Sequence, residues 1–185
     1  MEISITSSFC LNFIDLIKQE TIEALTNGYY IVTALKPADE METRSEDYLA
    51  AGTVNWLTQI SFEPTLVGVS VALFSDLNET IDKSGSFTIH VLSDKHMNWV
   101  EKFATKSEIT ESTINGINYQ KVKDEIIFEG TMATLQCTLT ESVRCGDHTL
   151  HIGNVVEVNH NKSMAPLSTV ALPSSYKKEN VPQNN

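Results

Sequence analysis

The chain has 185 residues, 41% of them hydrophobic, which is enough to bury the core of one globular domain. Its 24 acidic and 13 basic side chains give a formal charge of −11, which excludes nucleic acid as a general partner because such a surface repels phosphate backbones. Three cysteines, an odd number in a long chain, exclude a disulfide framework and indicate a reducing compartment such as the cytoplasm. The longest apolar run, 66–74, is far shorter than the ~20 residues that cross a bilayer, and the N-terminus has no basic leader, so neither a membrane span nor a signal peptide is expected.

Helices are predicted at three places. The first covers 8–28, where apolar residues recur at helical spacing and an Asn-Gly pair provides a stop. One or two helical turns are predicted over 78–85, with Asn78 as the cap and the closing glycine as the stop. The third helix covers 93–104 and is capped by Ser93.

Most of the chain is predicted to form strands, because runs of β-formers are separated by turn residues. A polar, acidic loop over 36–50 follows the first strand, and a "RCGD" turn joins the last two in a hairpin. Few helices separate the strands and neither GxGxxG nor GxxxxGK[ST] occurs, which favours an antiparallel barrel over a parallel array. The predicted strands are 29–35, 51–64, 66–74, 87–92, 126–128, 133–143 and 148–159.

The second predicted strand, "AGTVNWLTQISFEP" over 51–64, has an unusual polar face. Side chains alternate across a strand, so one face should pack and the other should carry neutral hydrogen-bonding groups without any charge. Such a row suits a heteroaromatic ligand with donors and acceptors at its edge, or equally a barrel-lining strand with water-filled gaps. The predicted packing face consists of Val54, Trp56, Ile60 and Phe62, and the polar row of Thr53, Asn55, Leu57, Gln59 and Ser61.

The histidines allow few kinds of chemistry. "CGDHTLH" resembles a metal-ligand cluster, but His148 and His151 lie three apart on a predicted strand and should point to opposite faces, so no metal site is expected. His148 is either a partly exposed turn residue or a ring that reaches a cleft, and His90 either lines the barrel or faces a ligand. Without GxSxG or HExxH, and with Cys137 alternating with leucines as a buried position would, a hydrolase is disfavoured.

Two blocks carry a family resemblance: the Asn-Trp-x-Thr-x-x-Ser-Phe-x-Pro run over 55–64 and the late Gly-Asp-His hairpin over 145–158. In this order and spacing, together with "GYYIVTAL", "SGSFTIHVL" and "EKFA", they make residues 28–158 resemble the flavin reductase-like domain family. The resemblance implies a mainly β protein, a six-stranded antiparallel Greek-key split barrel of the FMN-binding type, usually a homodimer. Together with the sequence pattern at the two ends, this predicts a helical segment over 1–27, the barrel domain over 28–172 and a mobile tail over 173–185.

The resemblance also implies a cofactor site. FMN, or FAD, would be held mainly by the 53–61 block and by a serine after the next strand, and His148 would approach the nicotinamide of NADH or NADPH. The implied flavin-binding residues are Thr53, Val54, Asn55, Trp56, Leu57, Thr58, Ser61 and Ser75.

The chain departs from the family pattern at several positions. Asp76 and Leu77 follow Ser75 where the family often has a basic residue and a threonine, and His90 replaces a usual asparagine. The 36–50 loop is also longer than expected. These differences bear on the substrate side more than on the fold.

Three functions are consistent with these residues. The preferred one is an NAD(P)H:flavin reductase that passes hydride from nicotinamide to flavin, because the cofactor carries the redox chemistry and the protein positions it. The alternative is an FMN-binding electron-transfer module whose acidic surface docks a basic redox partner protein. The third is a barrel that has lost flavin and serves as a ligand-binding or structural dimer.

Overall fold

The computed structural model describes residues 18, 21–22, 24–38, 48–160 and 164–168. Most of the predicted helix over 8–28, much of the predicted loop over 36–50 and the predicted tail over 173–185 lie outside the described residues. Within the described part of the chain, no helix is long and apolar enough to cross a membrane.

Ten strands in the described residues form two antiparallel sheets. A seven-stranded sheet has the order β2-β1-β5-β9-β10-β4-β3, and a three-stranded sheet has the order β6-β7-β8. The mainly β class is therefore confirmed, although the main sheet has seven strands rather than six. The strands are β1 Tyr30–Lys36, β2 Tyr48–Val54, β3 Leu57–Ser61, β4 Leu66–Ala72, β5 Ser86–Val91, β6 Thr113–Ile114, β7 Ile117–Val122, β8 Glu125–Phe128, β9 Ala133–Cys145 and β10 His148–His160.

The extra strand arises because the single strand predicted over 51–64 is wrong. The segment forms β2, which begins earlier at Tyr48 inside the predicted loop, and β3, with a break at Asn55 and Trp56. β2 pairs with β1 at one edge of the sheet, and β3 pairs with β4 at the other edge. Only two residues join these opposite edges, so the sheet must curl until the edges meet, as in a barrel. We call residues 55–56 the seam.

Of the four residues predicted to form the packing face of 51–64, only the first is buried. Val54 is buried, but Trp56 is 49% exposed, Ile60 is 45% exposed and Phe62 is 85% exposed. The seam interrupts the period-two alternation, and a register shift between Gln59 and Ser61 disturbs it again. Residues after the seam therefore do not continue the faces set by β2.

Helix α1, Asp76–Ser84, begins two residues before the predicted start. Ser75, not Asn78, is the N-cap: its hydroxyl oxygen accepts from the Asn78 backbone N–H at 3.1 Å. The helix ends at Gly85, which has the left-handed φ of 67° that favours glycine, as predicted. Ser75 thus places the start of α1 directly after β4.

The helix predicted over 93–104 is divided. A 3-10 turn, Asp94–His96, leads into α2, Met97–Lys102. Inside the turn, the Ser93 backbone N–H donates to Nδ1 of His96 at 3.1 Å, which caps the start. Val100 is buried within α2, and Phe103, just beyond it, is buried as well.

Two apolar clusters occupy the two faces of β1, because its neighbouring residues point to opposite sides. Ile31 belongs to the cluster shared with Phe103 and with Phe128 of the small sheet. Val32 belongs to the cluster shared with Ile81 of α1. Burial on both faces explains why β1 reads as a nearly continuous apolar run.

Candidate active site

An open cleft of about 730 Å³ lies where the seam, the start of α1 and the turn between β9 and β10 come together. Its volume falls within the usual range for cofactor and small-molecule sites. Five segments supply most of its lining, and we use "the cleft" for the space they enclose: 51–56, 70–72, 74–77, 103–107 and 147–148.

The cleft divides the predicted flavin-binding residues into two groups. Leu57, Thr58 and Ser61 do not line it, because beyond the seam the chain follows β3 along the other edge of the sheet. The predicted residues that do line it are Thr53, Val54, Asn55, Trp56, Ser75 and His148.

In the part of the chain that the structure describes, Thr53 is hydrogen-bonded to the protein backbone, whereas the Asn55 side chain is not. The Thr53 hydroxyl donates to the Val100 carbonyl at 2.7 Å, and its backbone N–H donates to the Phe103 carbonyl at 3.0 Å. The Asn55 side chain is half-buried at the seam and has no hydrogen-bond partner among the described residues. Thr53 therefore anchors the wall of the cleft, whereas Asn55 offers an amide to a ligand.

Trp56 and His148 form an aromatic pair at the side of the cleft. Their ring centroids are 4.7 Å apart and their planes are inclined by 49°. Nδ1 of His148 lies 2.7 Å from Oδ1 of Asp147, and this hydrogen bond holds the pKa of the Asp147 carboxyl below its usual range. Because a carboxylate only accepts, Nδ1 carries the hydrogen and Nε2 is the nitrogen left for a ligand.

Residues 103–107 form the wall of the cleft opposite the Trp56–His148 pair, and no sequence motif marks them as part of a site. The Ser107 hydroxyl donates to the Ala51 carbonyl at 2.9 Å and accepts from the Ala51 N–H at 3.1 Å, which fixes residues 103–107 to β2. From this wall, Nζ of Lys106 reaches within 3.6 Å of Oδ2 of Asp76 in the first turn of α1. Nothing in the local pattern around Lys106 indicates a partner 30 residues earlier, so sequence reasoning missed it.

A family model described as "Flavin reductase like domain" matches residues 22–179. The chain belongs to this family. The resemblance predicted from the motifs is therefore confirmed.

Individual relatives agree with this family. A flavin reductase of Pseudomonas putida is 30% identical over 132 residues, 71% of each chain. An NADH-dependent flavin reductase of a Rhodococcus species is 27% identical over 140 residues, 76% of this chain and 74% of that protein. Two further curated relatives are matched over 63% of their own length.

A solved structure shows the same fold. The Streptomyces globisporus C-1027 NADH:FAD oxidoreductase SgcE6, in complex with NAD and FAD fragments, superposes with a TM-score of 0.67 at 17% identity. The superposition covers 83% of this chain and 87% of that chain.

His90, where the family usually has asparagine, is a core residue and does not line the cleft. Its ring is fully buried, with Nε2 3.1 Å from the Thr33 hydroxyl and the edge of Phe128 against it. Nδ1 has no partner among the described residues, and burial lowers the pKa of His90 to about 3. Of the two roles open to His90 from the sequence, the structure therefore supports the barrel-lining one.

His148 and His151 occupy opposite sides of β10. His148 borders the cleft, whereas His151 is fully buried against α1. Across the described residues, no group of three or more His, Cys, Asp or Glu side chains is arranged to hold a metal ion. Cys137 is buried, which raises its pKa to about 12 and makes it a poor nucleophile.

Proposed function

We propose that this chain binds FMN in the cleft and that NADH or NADPH reduces the bound flavin. The observation that carries this proposal is the half-buried Asn55 amide, which borders a cleft of cofactor size and lacks a protein partner among the described residues. An accessible amide at the border of a cleft offers both a donor and an acceptor, so it can hydrogen-bond the polar edge of a ligand. The residues present therefore fit a flavin.

Different walls of the cleft suit different parts of the cofactor. Asn55 and Trp56 would hold the ring system, one through its amide and the other through its aromatic face. Ser75 and the N–H groups at the start of α1 would face the phosphate, helped by the positive end of the helix. Lys106, on the facing wall, would add a positive charge there.

The protein would position the nicotinamide against the flavin. A bound flavin supplies the redox chemistry by accepting a hydride from nicotinamide. Asp147 holds the His148 ring with hydrogen on Nδ1, so Nε2 can accept a hydrogen bond from the nicotinamide amide. Trp56 packs against the same ring and restricts its rotation.

The test is the oxidation of NADH and of NADPH by the purified full chain with added FMN. We expect turnover with at least one nucleotide, dependent on flavin. Protein that binds FMN and oxidises neither nucleotide would contradict the reductase and would favour the electron-transfer module.

Replacing His148 with alanine should raise the KM for the nicotinamide nucleotide about tenfold, because one hydrogen bond near 1.4 kcal/mol is lost. The dissociation constant of FMN should change much less, since other residues would hold the flavin. Steady-state kinetics and FMN titration measure the two quantities separately. His160→Ala, at the exposed end of β10, is the matched control. Equal effects of the two variants on KM would remove His148 from the site.

Replacing Asp76 with asparagine should tighten FMN binding about threefold, because a carboxylate near the proposed phosphate site repels it across partly screened solvent. Riboflavin, which lacks the phosphate, should bind both proteins equally. Fluorescence titration with both ligands measures this, with Glu129→Gln in the exposed turn after β8 as the charge control. An equal gain for riboflavin would mean that Asp76 does not face the phosphate.

We further propose a homodimer in the cytoplasm. Phe62 is 85% exposed and Phe74, at the mouth of the cleft, is 94% exposed, and such aromatic exposure is typical of surfaces that meet another chain. Cys137 and Cys145 are free thiols, which suits a reducing compartment. The charge of −11 would let an acidic surface dock a basic redox partner protein.

A further inference from the structure

A chain of polar side chains connects a surface carboxylate to Asn78 in the first turn of α1. It runs from Asp82 through Ser142 and His151 to Asn78, and we call these four residues the relay. We propose that His151 is a positioning residue for the flavin site, which sets Asn78 and thereby makes FMN affinity depend on the protonation of its ring. This inference rests on the proposed function.

The fold brings the four side chains together. Ser142 of β9 and His151 of β10 are register partners, so their side chains share one face of the sheet. Asn78 and Asp82 are four residues apart on α1 and share one face of the helix. The contacts are 2.7 Å from Asp82 Oδ1 to Ser142 Oγ, 2.9 Å from Ser142 Oγ to His151 Nδ1, and 2.9 Å from His151 Nε2 to Asn78 Oδ1.

Asn78 links the relay to the wall of the cleft. Its Nδ2 donates to the Leu73 carbonyl at 3.1 Å, and its backbone N–H donates to the Ser75 hydroxyl at 3.1 Å. Leu73 and Ser75 flank Phe74 in the turn before α1, where Phe74 and Ser75 border the cleft. The Asn78 side chain therefore holds the turn that carries Phe74 and Ser75 through the Leu73 carbonyl, one residue before the cleft lining begins again.

The orientation of Asn78 determines which His151 nitrogen carries hydrogen. Because Nδ2 is used by the Leu73 carbonyl, the atom facing His151 is Oδ1, which only accepts. Nε2 of His151 must therefore donate. In a neutral ring Nδ1 is then an acceptor, and it requires the hydroxyl hydrogen of Ser142.

All three contacts of the relay can form at once only when His151 is protonated. Its three contacts need three hydrogens, but a neutral His151 ring and the Ser142 hydroxyl supply only two. With a charged ring, Nδ1 donates to Ser142 and Ser142 donates to the Asp82 carboxylate, so all three contacts are made. With a neutral ring, Ser142 donates to Nδ1 of His151, and the contact between Ser142 and Asp82 has no hydrogen. With a protonated ring, both Asp82 and Asn78 of α1 are hydrogen-bonded to the β9–β10 hairpin.

The surroundings of His151 place this proton uptake below neutral pH. Among the described residues, Asp82 of α1 is the charged group near the ring, with Oδ1 3.6 Å from Nδ1. The neighbouring strands contribute the Ser142 hydroxyl from β9 and the apolar Val69 from β4. Burial lowers the pKa of His151 and Asp82 raises it, with burial the larger effect. The ring is therefore neutral at pH 7.5 and gains its proton on acidification.

The experiment is FMN titration of the full chain at pH 7.5 and pH 5.5, with the fold of each variant checked by circular dichroism. His151→Gln keeps a donor for Asn78 without a titratable ring. The FMN phosphate titrates equally in both experiments, so the ratio of the FMN dissociation constants of the wild type and this variant at each pH is free of its effect. At pH 7.5 we expect the wild type and His151→Gln to bind FMN within about twofold, and His151→Leu to bind about tenfold more weakly because Asn78 Oδ1 loses its donor. At pH 5.5 we expect the wild type to bind about fivefold more tightly than His151→Gln.

Ser142→Ala is the second variant, on the exposed part of β9, where truncation leaves the core intact. It should keep the pH 7.5 affinity and lose the gain at pH 5.5, which a merely structural role for His151 would not produce. If the wild type binds FMN and its ratio to His151→Gln is the same at both pH values, this inference alone is overturned. If the wild type binds no FMN at either pH, the proposed function fails and the inference with it.

Discussion

Between pH 7 and pH 4.5, the free energy of unfolding of this protein should fall by about 2.5 kcal/mol more than that of a His90→Gln variant. The His90 ring is fully buried, and its pKa is lowered to about 3 from an ordinary value of 6.5. In this window the unfolded chain binds a proton at His90 and the folded chain does not. Stability due to the neutral ring is therefore fully present above pH 6.5 and is lost as pH falls toward 3.

Urea unfolding at the two pH values measures this difference. His160→Gln serves as the control, because its ring is exposed at the end of β10 and its loss should leave the acid response unchanged. His96 and His151 are also buried with lowered pKa values, so a smaller acid response should persist in His90→Gln. An undiminished response in that variant would show that the ring is hydrated or becomes protonated within the fold.

Replacing Asn55 with leucine should weaken FMN binding by about 10- to 100-fold, because a ligand edge that is buried against the amide would lose its partner. The substitution preserves approximate size and leaves the backbone of the seam unchanged. Asn55 makes no hydrogen bond with the described residues, so the folded protein without ligand should not be destabilised by it.

Fluorescence titration with FMN, together with thermal unfolding without FMN, separates binding from stability. Asn118→Leu, an exposed position on β7 away from the cleft, is the matched control. An Asn55→Leu variant that binds FMN as tightly as the wild type would exclude this amide from the site.

Much of the β structure follows from local pattern. β1 and β5 are dense in β-formers, and the β9–β10 hairpin is specified by alternation around Gly146, whose φ of 64° suits the turn between these strands. The stop of α1 at Gly85 is equally local. These features depend on neighbouring residues, so the sequence is sufficient to predict them.

The seam could not be predicted from alternation. Period two indicates which residues share a face, but it does not tell which edge of a sheet a strand joins. The two halves of 51–64 pair with different strands, and this alone removes Leu57, Thr58 and Ser61 from the cleft.

The wall formed by residues 103–107 is positioned by tertiary contacts. Ser107 pairs with Ala51 and Lys106 approaches Asp76, in both cases across long stretches of chain. The sequence identifies Asp76 as a departure from the family pattern, but only the fold brings a lysine close to it. The relay has the same origin, because Asn78 and His151 are 73 positions apart.

An anaerobic experiment on the purified full chain tests flavin binding and flavin reduction by this protein most directly. FMN is added first and its fluorescence is followed, and NADH or NADPH is then added while the visible absorbance of oxidised flavin is recorded. We expect saturable FMN binding, weakened in Asn55→Leu, and loss of the flavin absorbance when the nucleotide is added. Absence of binding of both FMN and FAD, or a bound flavin that stays oxidised with both nucleotides, would contradict the proposed flavin reduction.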